Sequence, residues 1–211
     1  MIILAGIIHI NLKNVLIFSL LMIFGHNALD SFHFGNDIFW AIIHEFNFID
    51  LQSGRKLLVG YPIIPWIGVM SLGYYFGSYY NSEMNSTKRK RLFRIIGISS
   101  VLLFFVVRIL NGYGNFQYWK NYDSILPTLF SFFNPCKYPP SISYLLMTLG
   151  PVFVILSLTE NLKGKIINII SIFGKVPFFY YILHIYLIHL LALVTAWFTG
   201  FGWESLIIKG W

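Results

Sequence analysis

The stretch TKRKRLFRIIGISSVLLFFVVRILNGYG, residues 87–114, decides the fold. A cluster of Lys and Arg gives way at Ile95 to an apolar run that continues to Val107 and closes on Arg108, Asn111 and two glycines. About 20 predominantly apolar residues are enough to cross a bilayer as a helix, so the run from 95 to 114 predicts a membrane span with a basic anchor before it. Further apolar runs bounded by charge and by Gly or Pro predict spans near 15–30, 61–80, 142–161 and 176–197, with a shorter run at 1–10. The expected fold is all-α: a polytopic transmembrane helix bundle of about five full spans plus one truncated N-terminal span. One transmembrane domain over 1–211 is the economical organisation, since no internal repeat, heptad or low-complexity tract appears.

Composition agrees with that class. The 211 residues are 57% hydrophobic, 19% aromatic and 11% charged, which does not fit a soluble surface. The formal charge of +7 could suggest nucleic acid, but the basic residues sit in short loops between apolar runs rather than on one face. A topological role explains them better, and no nucleic-acid partner is expected. Cys136 is the only cysteine, which excludes an internal disulfide and any CxxC motif. No metal site is expected either.

Positive loops stay cytoplasmic. Placing Lys88–Arg94 inside, with Lys13, Lys163, Lys165 and Lys175, leaves Arg55, Lys56, Lys120, Lys137 and Lys209 outside. This predicts a bacterial cytoplasmic (inner) membrane protein, surrounded by lipid, with Asn115–Ser141 extracytoplasmic. The segment 31–60 is too polar to span and predicts an extracytoplasmic loop, with Phe39–Phe48 as a short interfacial amphipathic helix. The apolar opening, only ten residues long and with no basic region or cleavage site, predicts that the chain is the later part of a larger membrane protein.

Ionisable groups at membrane depth are costly and each needs a reason. In GHNALD, residues 25–30, His26 and Asp30 lie four apart, on one face of a helix. A carboxylate there could fix the imidazole tautomer and raise its basicity, making the two a catalytic acid/base pair, with Asn27 alongside as a substrate contact. The alternative is a polar helix end satisfying itself. Arg108 and Asn111, three apart, predict an inward-facing pair that binds an anion through the planar guanidinium fork, or else Arg108 snorkels to headgroups. The prolines of NPCKYPPS, residues 134–141, stiffen a loop that could hold Lys137 and Tyr138 over a pocket, or simply begin a helix. His184 and His189 are five apart, about 140° around a helix, which does not suit a shared metal. One or both could line the pocket. Together these groups predict a polar cavity opening outward, while the absence of Walker, GxSxG, HExxH and GxGxxG motifs argues against ATPase, serine hydrolase, zincin and dinucleotide-binding chemistry.

The succession MIILAGIIHI, IFGHNALD, YPIIPWIGVMSLGYYFG, RILNGYG, FFNPCKYPPSISYLLMTLGP and FGKVPFFYYILHIYLIHL resembles the bacterial branch of the heparan-alpha-glucosaminide N-acetyltransferase catalytic-domain family. The resemblance runs along almost the whole chain, and its last two blocks are the most specific. It implies a multi-helix membrane protein in which an acetyl group from acetyl-CoA reaches an amino sugar across the bilayer. It also implies that the family's catalytic histidine belongs to a first half that this chain lacks, so His26 and Asp30 are expected as an auxiliary pair. Arg108, Asn111, Lys137, Tyr138, His184 and His189 would then bind acyl donor or sugar. The competing expectation is a non-enzymatic carrier or scaffold that binds a sugar or lipid-linked ligand in the same cavity.

Overall fold

The computed structural model describes residues 2–32, 38–51, 55–81, 84–115 and 117–200. Parts of the expected 31–60 loop (33–37 and 52–54) and Lys209 lie outside the described residues. The helices are α1 (Ile2–Ile7), α2 (Leu12–Gly25, extended by a 3-10 turn over His26–Leu29), α3 (Ile38–Ile43), α4 (Ile63–Asn81), α5 (Ser86–Leu110), α6 (Ile125–Phe132), α7 (Ile142–Thr159), α8 (Lys165–Lys175) and α9 (Pro177–Phe198). Among the described residues, four segments are long and apolar enough to cross a membrane: Leu12–Leu29, Ser86–Leu110, Ile142–Thr159 and Pro177–Phe198. These coincide with four of the expected spans. The fifth expectation falls on α4, a helix of 19 residues whose second half, LGYYFGSYYN, is rich in Tyr, Gly and Ser.

Side-chain caps mark the starts of α2, α5 and α7. The Asn11 side chain accepts from Lys13 N at α2, that of Asn85 from Thr87 N at α5, and that of Ser141 from Tyr144 N at α7. Asn111 ends α5 in the left-handed conformation at φ 49°, which Asn tolerates better than most side chains.

The structure is not wholly helical. The interfacial helix expected over Phe39–Phe48 stops at Ile43, and Asn47–Leu51 (β1) pairs antiparallel with Arg55–Val59 (β2), placing Phe48 opposite Leu58 and Asp50 opposite Lys56. Asn-Phe-Ile-Asp-Leu and Arg-Lys-Leu-Leu-Val are short and follow neither a strict period of two nor a helical one, so the strands are defined by their pairing rather than by a polarity pattern.

The chain forms two compact units, Met1–Glu160 and Asn161–Trp211. In the first, α5 and α7 approach closely because Gly97 leaves room for the α7 backbone: a Cβ there would stand 2.7 Å from Val154 N and 2.8 Å from Gly150 O. Gly68 of α4 likewise meets α2, where a Cβ would lie 2.8 Å from Met22 Cβ. Small residues at helix crossings are how apolar helices gain contact without a hydrophobic force between them. An apolar cavity of about 250 Å³ is bordered by Leu20 and Ile23 of α2, Phe76 of α4, Ile96 of α5 and Leu146 and Phe153 of α7.

At 25 residues, α5 is about 37 Å long and gives the first unit two distinct ends. At its start, Arg89 is ion-paired with Glu160 and donates to Tyr79 O and Met84 O, tying α5 to the ends of α4 and α7. At its finish stands Arg108. In the second unit, α8 and α9 follow one another with Pro177 opening α9, where proline's fixed φ suits the first helical turn.

Candidate functional site

The Arg108 end of the first unit carries a hydrogen-bonded chain centred on Asp30. The backbone N–H of Ile142, in the first turn of α7, donates to Asn27 Oδ1 at 3.1 Å, which fixes the Asn27 amide so that Nδ2 points the other way. That Nδ2 donates to Asp30 Oδ2 at 2.7 Å, and His44 Nε2 lies 3.1 Å from Asp30 Oδ1. A carboxylate only accepts, so Nε2 is the donor in this contact. The His44 side chain is 1% exposed and its Nδ1 has no hydrogen-bond partner among the described residues. Leaving such a group unsatisfied costs on the order of 1–3 kcal/mol. The Trp40 ring packs 5.2 Å from the His44 ring and the His26 ring 6.3 Å from it.

His26 does not bond Asp30. Its Nδ1 faces Ile23 O at 2.9 Å and Met22 O at 3.1 Å, and its Nε2 faces Pro140 O at 2.9 Å, so the ring straps the end of α2 to the approach to α7. The spacing of four fails because the backbone tightens into a 3-10 turn at His26. In that geometry residues three apart eclipse one another, and Asn27, not His26, is the residue three before Asp30.

Arg108 faces the bundle, as its position suggests, and is 1% exposed. Its Nε donates to Phe132 O at 2.7 Å, Nη1 to Asn115 Oδ1 and Gln117 O, both at 2.9 Å, and Nη2 to Ser131 O at 2.8 Å and Asn134 O at 3.3 Å. A guanidinium has five N–H donors, and each has an acceptor within the chain. With its donors engaged by the chain, Arg108 organises Asn115 and residues 117–134 rather than pairing with Asp30. Asn111 works beside it through a different partner, exchanging two bonds of 3.1 Å with the Trp119 backbone, while Trp119 Nε1 donates to Arg108 O at 2.7 Å.

Two polar cavities share Asp30. One, of about 320 Å³, is lined by Asp30, His44, Glu45, Asn47, Gln117 and Tyr138. The other, of about 410 Å³, is lined by Asn27, Asp30, Ser31, Tyr113, Asn115 and Tyr118. Asp30 therefore presents a fixed carboxylate to both, with Asn, Gln and Tyr groups around it that suit a polyhydroxylated ligand.

The family model described as heparan-alpha-glucosaminide N-acetyltransferase, catalytic, matches residues 1–109. The chain belongs to this family. No curated protein and no solved structure matched it. The matched part contains His26, Asn27, Asp30, His44 and Arg108, so the Asp30 chain of bonds is assembled mainly from the family's own segment. The NPCKYPPS and GKVPFFYYILHIYLIHL blocks lie beyond the match. Membership makes the chain a membrane acetyltransferase-like protein, and the family implies acetyl-CoA as acyl donor in general.

Beyond the family segment, Tyr138 reaches the 320 Å³ cavity from the loop before α7, and its hydroxyl lies 3.2 Å from that of Tyr61. That hydrogen bond, together with one from Lys137, holds the Tyr138 phenol below its ordinary pKa. Lys137 is exposed, with Nζ 5.1 Å from the Tyr138 ring centroid. Ser141 caps α7, so Pro-Pro-Ser also begins a helix. In the second unit, His184 Nδ1 faces Tyr180 O at 3.2 Å with the two rings stacked, and His189 Nδ1 faces Ile185 O at 2.7 Å.

His44 is the member of the Asp30 group that sequence reasoning did not single out. It follows a short aromatic helix, 14 residues from Asp30, and no helical or strand spacing relates the two. The sequence signal was an ionisable residue in IFWAIIHEF, where an apolar face would be expected.

Proposed function

We propose that this protein transfers an acetyl group from acetyl-CoA to an amino sugar or glycan amine whose acceptor nitrogen sits at Asp30. It does so in a bacterial cytoplasmic membrane, with the Arg108 end extracytoplasmic and α4 as the fifth crossing. The family supports the reaction class. The observation that carries the acceptor site is the Asp30 carboxylate, held by Asn27 and His44 at the wall of two polar cavities. A fixed anion binds a sugar ammonium, and the surrounding amide and phenol groups can bond its hydroxyls. Tyr138 lines the 320 Å³ cavity and Lys137 lies beside its ring, where a phenol and a cation suit the hydroxyls or an anionic group of a glycan acceptor.

Purified protein incubated with acetyl-labelled acetyl-CoA and glucosamine is expected to form N-acetylglucosamine in proportion to protein. Asp30→Asn should raise KM for glucosamine at least tenfold. Glucosamine binding without transfer would instead favour a carrier, and neither binding nor transfer would remove Asp30 as an acceptor site.

Orientation has its own test. With Cys136 replaced, a single cysteine at Gln117 is expected to react with an impermeant maleimide in intact cells and one at Lys88 is not. The reverse pattern would overturn the topology.

A further inference from the structure

We infer that the acceptor at Asp30 is a glycolipid, an amino sugar carried on an apolar chain, and that this chain occupies the 250 Å³ cavity of the first unit. The inference rests on Asp30 as the acceptor site and names the kind of molecule that brings the amine there.

The first unit packs as two helix pairs, α2 on α4 and α5 on α7, and the cavity lies between them. Its lining runs from Leu16 to Phe24 on α2 and from Ile142 to Phe153 on α7. At 1.5 Å per residue those stretches are about 12 Å and about 16 Å long, so the space follows the helix axes. Ser100 is the one polar side chain among the described residues that line it. An apolar cavity of about 150 Å³ already stays dry and takes up benzene, and a larger, elongated one suits an extended hydrocarbon. Leu20 and Phe24 line it while 39% and 42% exposed, so it opens beside α2 rather than closing within the core. With α2, α5 and α7 each in a segment long and apolar enough to cross a membrane, the medium at that opening is lipid.

The cavity adjoins the 410 Å³ polar cavity at two places. Ile142 lines the apolar cavity, and its backbone N–H holds Asn27, a wall of the polar one. Phe24 also lines the apolar cavity, and its carbonyl accepts from the hydroxyl of Tyr113, which lines the polar one. Phe24 and Tyr113 are both exposed, so a molecule can lie across them without breaking the bond from His26 to Pro140 O. A fixed carboxylate with amides and phenols at one end, and a hydrocarbon slot leading from it, outlines an amphiphile with a cationic sugar head. A free amino sugar would use only the polar end and leave the slot to a membrane lipid.

The test is equilibrium binding to the full chain in phospholipid nanodiscs, with empty nanodiscs subtracted for simple partitioning. The probes are methyl glucosaminide, decyl glucosaminide and decyl glucoside, the last lacking the amine. Decyl glucosaminide is expected to bind at least tenfold tighter than either of the others, since a few buried methylenes suffice for that. Leu20→Trp fills the mouth of the slot and should remove the advantage of the decyl chain while leaving methyl glucosaminide binding unchanged. Leu21→Trp, on a side chain 64% exposed and outside the lining, should change neither. Asp30→Asn should weaken both glucosaminides and leave decyl glucoside as it was. Equal binding of the methyl and decyl glucosaminides, or decyl binding untouched by Leu20→Trp, would overturn the inference and leave the Asp30 amine site standing. Decyl glucoside bound as tightly as decyl glucosaminide would mean that any membrane lipid chain fills the slot, which also overturns it. If neither glucosaminide responds to Asp30→Asn, the acceptor site itself falls, and the glycolipid with it.

Discussion

Arg108→Gln is expected to destabilise the protein by about 3 kcal/mol or more and to loosen residues 115–134, rather than to act on ligand binding first. Hydrogen bonds to charged groups contribute about 1.5–3 kcal/mol each, and the guanidinium donates to Phe132 O, Gln117 O, Ser131 O, Asn134 O and Asn115 Oδ1. Gln offers two donors where Arg has five, so several acceptors lose their partner. The loss would propagate, because Asn115 Oδ1 also accepts from Ser143 Oγ and Asn115 Nδ2 donates to Val107 O. Limited proteolysis and thermal unfolding in detergent would read the change. Cleavage within 115–134 should appear at temperatures where the wild type resists. Val106→Gln, on a side chain 52% exposed, is the comparison and should leave that segment protected. Wild-type stability in Arg108→Gln would mean that the five bonds do not organise the segment.

Gly97→Val should have a comparable effect by a different route. The added Cβ would meet Val154 N and Gly150 O, and backbone on the facing helix cannot yield as a flexible side chain can. Overpacking costs roughly 1–3 kcal/mol, and a clash with backbone belongs at the upper end of that range. The α5–α7 pair would have to separate, dragging Ile142 away from Asn27 and loosening Asp30 as well. Gly73→Ala, where nothing lies within 4 Å, should be neutral or slightly stabilising. Unfolding midpoints for the two variants would test the contrast, and equal midpoints would contradict the crossing.

These expectations show where sequence was informative. Long apolar runs state their own burial in lipid, so α2, α5, α7 and α9 were readable from composition, and the caps at Asn11, Asn85 and Ser141 sit where helix-start chemistry asks for them. Asp30 was legible as a costly charge near a helix end. Its partner was not, because the expected spacing assumed a regular α-helix and the chain tightens at His26. The inward direction of Arg108 was readable too, but its partners are mostly backbone carbonyls 9 to 26 residues further along, and a carbonyl leaves no trace in side-chain identity. The β1–β2 hairpin was hidden for a related reason. Its strands are five residues each without strict alternation of polarity, and aromatic content suggested an interfacial helix instead.

The most direct test of the Asp30 acceptor site uses sealed vesicles in which the chain has one orientation. Acetyl-CoA is supplied on the side of Lys88 and glucosamine on the side of Gln117. The expected result is N-acetylglucosamine on the Gln117 side, with Asp30→Asn reducing its formation at least tenfold under subsaturating glucosamine. Product formed only when glucosamine is on the Lys88 side, or undiminished by Asp30→Asn, would contradict an amino-sugar site at Asp30.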